Sequence, residues 1–178
     1  LVRTASVPGA QDADTTRATY FAGKAASMIW SSFILDELAG LRADAAPSCP
    51  ECSGNPRFLV DNTGIVTALS GPDATEPAQF GEIVSWAVVS GAQADPANRF
   101  VQFMMNDAYA DWLGFAPEGK IPARTGTPEE PGKFTALWRT LPAGVDTKKP
   151  LADFYPADVL DGLSGSLDTF RRWGFTQG

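Results

Sequence analysis

The chain has 178 residues, 44% apolar and 20% charged, enough for one substantial core with the composition of an ordinary globular protein. Its 14 basic and 21 acidic residues give a net charge of -7, which repels phosphate backbones and anionic lipid surfaces and argues against nucleic-acid binding. Histidine is absent, which removes Ser-His-Asp and Cys-His catalysis and every metal site built on imidazole, so neither a catalytic residue nor a metal site is expected.

In chain order, residues 1–16 are polar and turn-like, without an initiator Met or a basic-then-apolar leader pattern. The chain therefore reads as one entered in the middle. Residues 16–23 suit a short helix capped by Asp14 or Thr15, with Ala18, Phe21 and Ala22 on one side. Residues 24–30 form a short apolar run of the buried-strand type. Ser31 or Ser32 then suits an N-cap, Asp36 and Glu37 favour the positive end of a helix dipole, and Gly40 suits its stop.

Residues 43–62 are rich in Pro, Ser, Cys, Asn and Gly and read as a loop or insertion, with one apolar island at 58–60. The loop carries both cysteines, Cys49 and Cys52, for which a structural disulfide in an exported protein is expected on compartment grounds; free thiols are the alternative. Residues 65–69 and 82–90 are β-branched runs bounded by turn residues, and both are expected as strands. A helix should start at Asp95-Pro96, bury Ala97, Phe100, Val101, Met104, Ala108 and Trp112, and break near Asn106-Asp107. Residues 115–132 hold four prolines and three glycines and should form a long shaped loop. Helices are expected over 132–141, 156–163 and 166–173, with Trp112 and Trp138 in packing roles.

Strands alternating with helices predict an α/β architecture, a mixed sheet covered by helices, in a single domain. In such sheets ligands bind beyond the carboxyl ends of strands. Trp30, Ser31 and Ser32 would then crown a sheet edge, offering an aromatic face and hydroxyls suited to a sugar, whose ring has apolar faces and a polar rim.

Three segments also carry a resemblance. FAGKAASMIW, GEIVSWAVVSGAQADPANRFVQFMMNDAYADWL and APEGKIPAR, spanning about residues 20–124, resemble in order and spacing the C-terminal lobe of family 1 extracellular solute-binding proteins, the sugar-binding components of ABC importers. Ser27 is an insertion relative to that pattern, and Ser31-Ser32-Phe33 stands where Gly-Pro-Trp is common, so Trp30 and Phe33 both remain candidates for the stacking face. The resemblance implies one lobe of a type II periplasmic-binding-protein fold with the partner lobe absent, and a ligand set of Trp30, Ser31, Ser32, Phe33, Trp86, Gly119, Pro122 and Arg124. It also implies an ABC permease as partner, no cofactor, and an extracellular or periplasmic location, with a lipid anchor outside this segment as the only membrane attachment. Two other classes compete with it: a carbohydrate-active enzyme domain using paired carboxylates from Asp107, Asp111, Glu118 and Asp153, and an interaction module with no small ligand, marked by a large exposed apolar patch.

Overall fold

The computed structural model describes residues 9, 12–79 and 81–166. Helix α1 (Ala13–Phe21) starts earlier than the sequence suggests, because Asp12 and Thr15 close a reciprocal capping box: the Asp12 carboxylate accepts the Thr15 N–H, and the Thr15 hydroxyl accepts the Asp12 N–H. Residues 24–30 form no strand. They lead into α2 (Ile34–Leu38), whose N-cap is Phe33 with helical backbone angles. Neither serine side chain caps this helix; the Ser31 and Ser32 carbonyls accept the Ile34 and Leu35 N–H groups instead. Gly40, at φ +71°, ends it, and the Gly40 and Leu41 N–H groups donate to the Glu37 and Asp36 carbonyls.

The expected loop 43–62 folds more than its composition suggests. It contains two 3-10 turns (Ala43–Ala45 and Pro50–Ser53) and the short helix α3 (Phe58–Asp61), and Cys49 and Cys52 are joined by a disulfide. The bridged loop is short, so the denatured chain loses little freedom to the crosslink. Replacing both cysteines with serine should lower stability by at most about 2 kcal/mol, read as a small drop in the urea midpoint; global unfolding of the double variant would contradict this.

The two β-branched runs do not become strands. Residues 65–69 contribute one isolated bridge, Leu69 to Ala78, and residues 82–90 pair with no other described segment. Helix α4 (Ala94–Met105) follows with Gln93, not Asp95, at its N-cap; the chain breaks at 106–108 and resumes as α5 (Tyr109–Leu113). The loop 115–132 is irregular except for a 3-10 turn at Pro117–Gly119, and it delivers α6 (Lys133–Thr140). Strands β1 (Pro142–Ala143) and β2 (Lys149–Pro150) pair antiparallel, and after a 3-10 turn at Leu151–Asp153 the chain forms α7 (Ala157–Ser164). From residue 167 the expected helix 166–173 lies outside the described residues.

The expected α/β lobe is therefore replaced by a mostly helical arrangement, and among the described residues the only sheet is this two-stranded hairpin. The physical reason is that strand propensity is realised only against a neighbouring strand, and here none is provided. Among the described residues no helix is long and apolar enough to cross a membrane.

The main core gathers Phe21, Ile34, Leu35, Leu38, Leu41, Val60, Trp138, Leu151, Tyr155 and Leu160. A smaller cluster of Tyr109, Leu113 and Phe134 lies beside it. Helix α6 joins the two, because Phe134 and Trp138 are four residues apart on one helical side and enter one cluster each. The hairpin is tied to the end of α2: the Leu41 carbonyl accepts from Val145, Asp146 and Thr147, and Asp146 Oδ2 accepts the Ala43 N–H at 2.7 Å.

Candidate functional site

The corner before α2 meets the 3-10 turn Pro117–Gly119. The Phe33 ring lies on Gly119 so closely that a Cβ there would sit 2.0 Å from Phe33 Cε1, so only glycine leaves room for the ring. Despite this contact Phe33 remains 55% exposed. Two structural devices hold this turn in place. The Trp138 indole N–H, inside the core, donates to the Pro117 carbonyl at 2.6 Å. Ala116, just before the turn, takes a left-handed φ of +57°, a conformation that costs an L-residue about 1–2 kcal/mol and persists only where its surroundings impose it.

Beneath this contact two acids are shut away from water. Asp36 and Glu118 are 1% and 4% exposed, and Asp36 Oδ2 and Glu118 Oε2 have no hydrogen-bond partner. Asp36 Oδ1 accepts the Glu37 N–H at 2.8 Å. Burial, reinforced by the negative charge of Glu118, pushes the Asp36 carboxyl up to about 6. Burial likewise raises Glu118, against the opposing pull of Lys120 and Arg42. Glu37 is better served, with Arg17 at 3.0 Å and Arg42 at 3.8 Å. The Tyr155 hydroxyl donates to the Leu35 carbonyl at 2.6 Å and closes the floor of the corner.

The remaining sequence-predicted residues are dispersed around this contact. Trp30 is half-buried against the main core, Ser31 is exposed and Ser32 half-buried. Pro122 is fully buried. Arg124 fastens its loop to the end of α4: its guanidinium donates to the Met105 carbonyl, to Asn106 Oδ1 at 2.7 Å and to the Gly126 carbonyl at 3.3 Å, and it lies 5.4 Å from the centre of the Phe134 ring. A cation at a helix C-terminus also complements the helix dipole. Trp86 stands apart, edge-on to Phe100 at 5.6 Å. Of the four carboxylates considered for an enzyme, Glu118 is buried while Asp107, Asp111 and Asp153 are exposed. Among the described residues no three Cys, Asp or Glu side chains are placed to hold a metal ion. An open groove of about 360 Å³ runs along α6, lined by Gly132, Thr135, Ala136, Arg139 and Thr140; none of these belongs to the Phe33 corner.

Sequence reasoning took Asp36 for a dipole partner and missed its burial. The signal was present in ILDEL, where Asp36 lies within a single turn of Ile34, Leu35 and Leu38, so the helix carries a carboxylate into the core along with its apolar side chains. Comparison of the chain with protein-family models, with curated proteins and with solved structures finds no match.

Proposed function

We propose that this chain recognises a polar solute, of sugar type, at the Phe33–Gly119 corner, and that it works as a carrier outside the cytoplasm that hands its solute to an ABC permease. One observation carries the reading: two segments far apart in sequence, both singled out by the resemblance, meet at an exposed aromatic ring seated on a glycine. A ring braced against backbone and still more than half exposed offers an apolar surface that a sugar's C–H groups can stack on. Ser31, exposed two residues before it, supplies a hydroxyl for the sugar's polar rim. The fold lends this proposal no support; the support is the meeting of the two segments and the resemblance they share. The disulfide fits an exported protein, since such bonds persist in oxidising compartments.

Titration with a panel of oligosaccharides, followed by analysis of the sugars recovered, tests the reading. The expected result is saturable binding of at least one sugar, recovered unchanged. Cleavage of the bound sugar would favour the carbohydrate-active enzyme instead.

A further inference from the structure

A second feature has no part in that corner. Residues 81–89 form neither helix, turn nor strand, every one of them is exposed, and Val84 and Val89 are 76% and 73% exposed. None of the backbone groups of residues 82–88 is hydrogen-bonded to another described residue. Seven residues of strand-forming composition thus leave their donors and acceptors unpaired by any described residue, a template for pairing with another chain. Helix α4 contributes to the same patch, with Phe100 and Phe103 each about half exposed and Phe100 edge-on to Trp86.

The order of residues says what the template fits. Glu82-Ile83-Val84-Ser85-Trp86-Ala87-Val88-Val89-Ser90 reads nearly the same in both directions by residue class: polar, β-branched, β-branched, small, aromatic, and back again. We infer that this segment pairs antiparallel with the same segment of a second copy, about a two-fold axis at Trp86. In that register Glu82 faces Ser90, Ile83 faces Val89, Val84 faces Val88, Ser85 faces Ala87, and Trp86 faces itself. No like charges oppose one another, β-branched residues meet β-branched residues, and the two indoles lie side by side with each Phe100 edge-on to its own Trp86. Such an interface is isologous, as closed dimers require.

Sedimentation equilibrium of the whole chain is the test. The expected result is a rise in mass from 18.9 kDa to twice that value as concentration climbs through tens of micromolar. Because Trp86 lies on the axis, Trp86→Asp sets two carboxylates face to face and Trp86→Lys two ammonium groups. Each variant alone should remain at the monomer mass, while an equimolar mixture of the two should recover the doubled mass. Circular dichroism unchanged in both variants shows that the helices are intact, as expected for an exposed position. A wild-type mass fixed at the monomer value at every concentration overturns the inference. So does dimerisation of either single variant, or a mixture that stays monomeric while the wild type doubles.

Discussion

Trp138→Ala is expected to lower the unfolding free energy by about 3–5 kcal/mol, the usual cost of removing a fully buried large aromatic. Trp138 is wholly inaccessible to water, belongs to the main core, and shares helix α6 with Phe134 of the smaller cluster, so its loss opens a cavity where the two cores adjoin. Against a total of about 5–15 kcal/mol for a domain, that loss is a large share of the stability. Trp138→Phe separates the two parts of the effect. It restores most of the volume but leaves the Pro117 carbonyl without the indole donor, and it should cost about 1–3 kcal/mol. Urea midpoints measure both. A Trp138→Ala midpoint within experimental scatter of the wild type would show that this residue does not hold the core and the 117–119 turn together.

The second large effect concerns Asp36 and its sign runs against the common pattern for carboxylates. The folded-state value, about 6 against the ordinary 3.8, is raised first by burial and then by Glu118, while the Glu37 N–H and Arg42 oppose the rise. The native state therefore holds the proton more tightly than the unfolded chain does. The contribution to stability is fully present below pH 3.8 and is lost as pH rises through about 6. The gap between the two values corresponds to about 3 kcal/mol. Stability should therefore fall from about pH 4 to above pH 6, about half of the loss coming between pH 5 and pH 8, and the raised Glu118 adds a change of the same direction. Asp36→Asn keeps the amide oxygen that accepts from Glu37 and removes the buried charge. The variant should be more stable than the wild type by up to about 3 kcal/mol at pH 8 and by about half as much at pH 5, measured by urea unfolding at the two pH values. A wild type that gains stability from pH 5 to pH 8, or an Asp36→Asn variant equally destabilised at both, would contradict this account.

The helices were legible in the sequence because their signal is local. The spacing of Ala97, Phe100, Val101 and Met104 marked α4, although the face expected to be buried is not, since no residue of α4 is buried and Phe100 is half exposed; the polar pair Asn106-Asp107 marked the break before α5. Phe134, Leu137, Trp138 and Leu141 marked α6, and Pro156 marked the start of α7. Strands were another matter. Residues 24–30, 65–69 and 82–90 have the composition of strands, yet a strand exists only through a partner at a distance along the chain, and no pattern within the run reveals whether that partner is there. The expected α/β class rested on those three runs and failed with them. The caps show the same division: an aspartate or a serine before an apolar run is a capping signal, but which residue takes the role depends on the turn geometry, and Asp12 and Phe33 take the positions for which Asp14 or Thr15 and Ser31 or Ser32 were expected. At the candidate site, the sequence named Phe33 and Gly119 separately. Their contact, and the burial of Asp36 and Glu118 beneath it, follow from how α2 meets the 117–119 turn, which is a tertiary fact.

Calorimetric titration of the same oligosaccharide panel into the wild type and Phe33→Ala measures the role of the corner directly. The ring is more than half exposed, so its removal should leave the urea midpoint nearly unchanged while weakening sugar binding about tenfold, the worth of one stacking contact. Binding that is undiminished in Phe33→Ala, or a wild type that binds no member of the panel, would contradict the assignment of this corner to solute recognition.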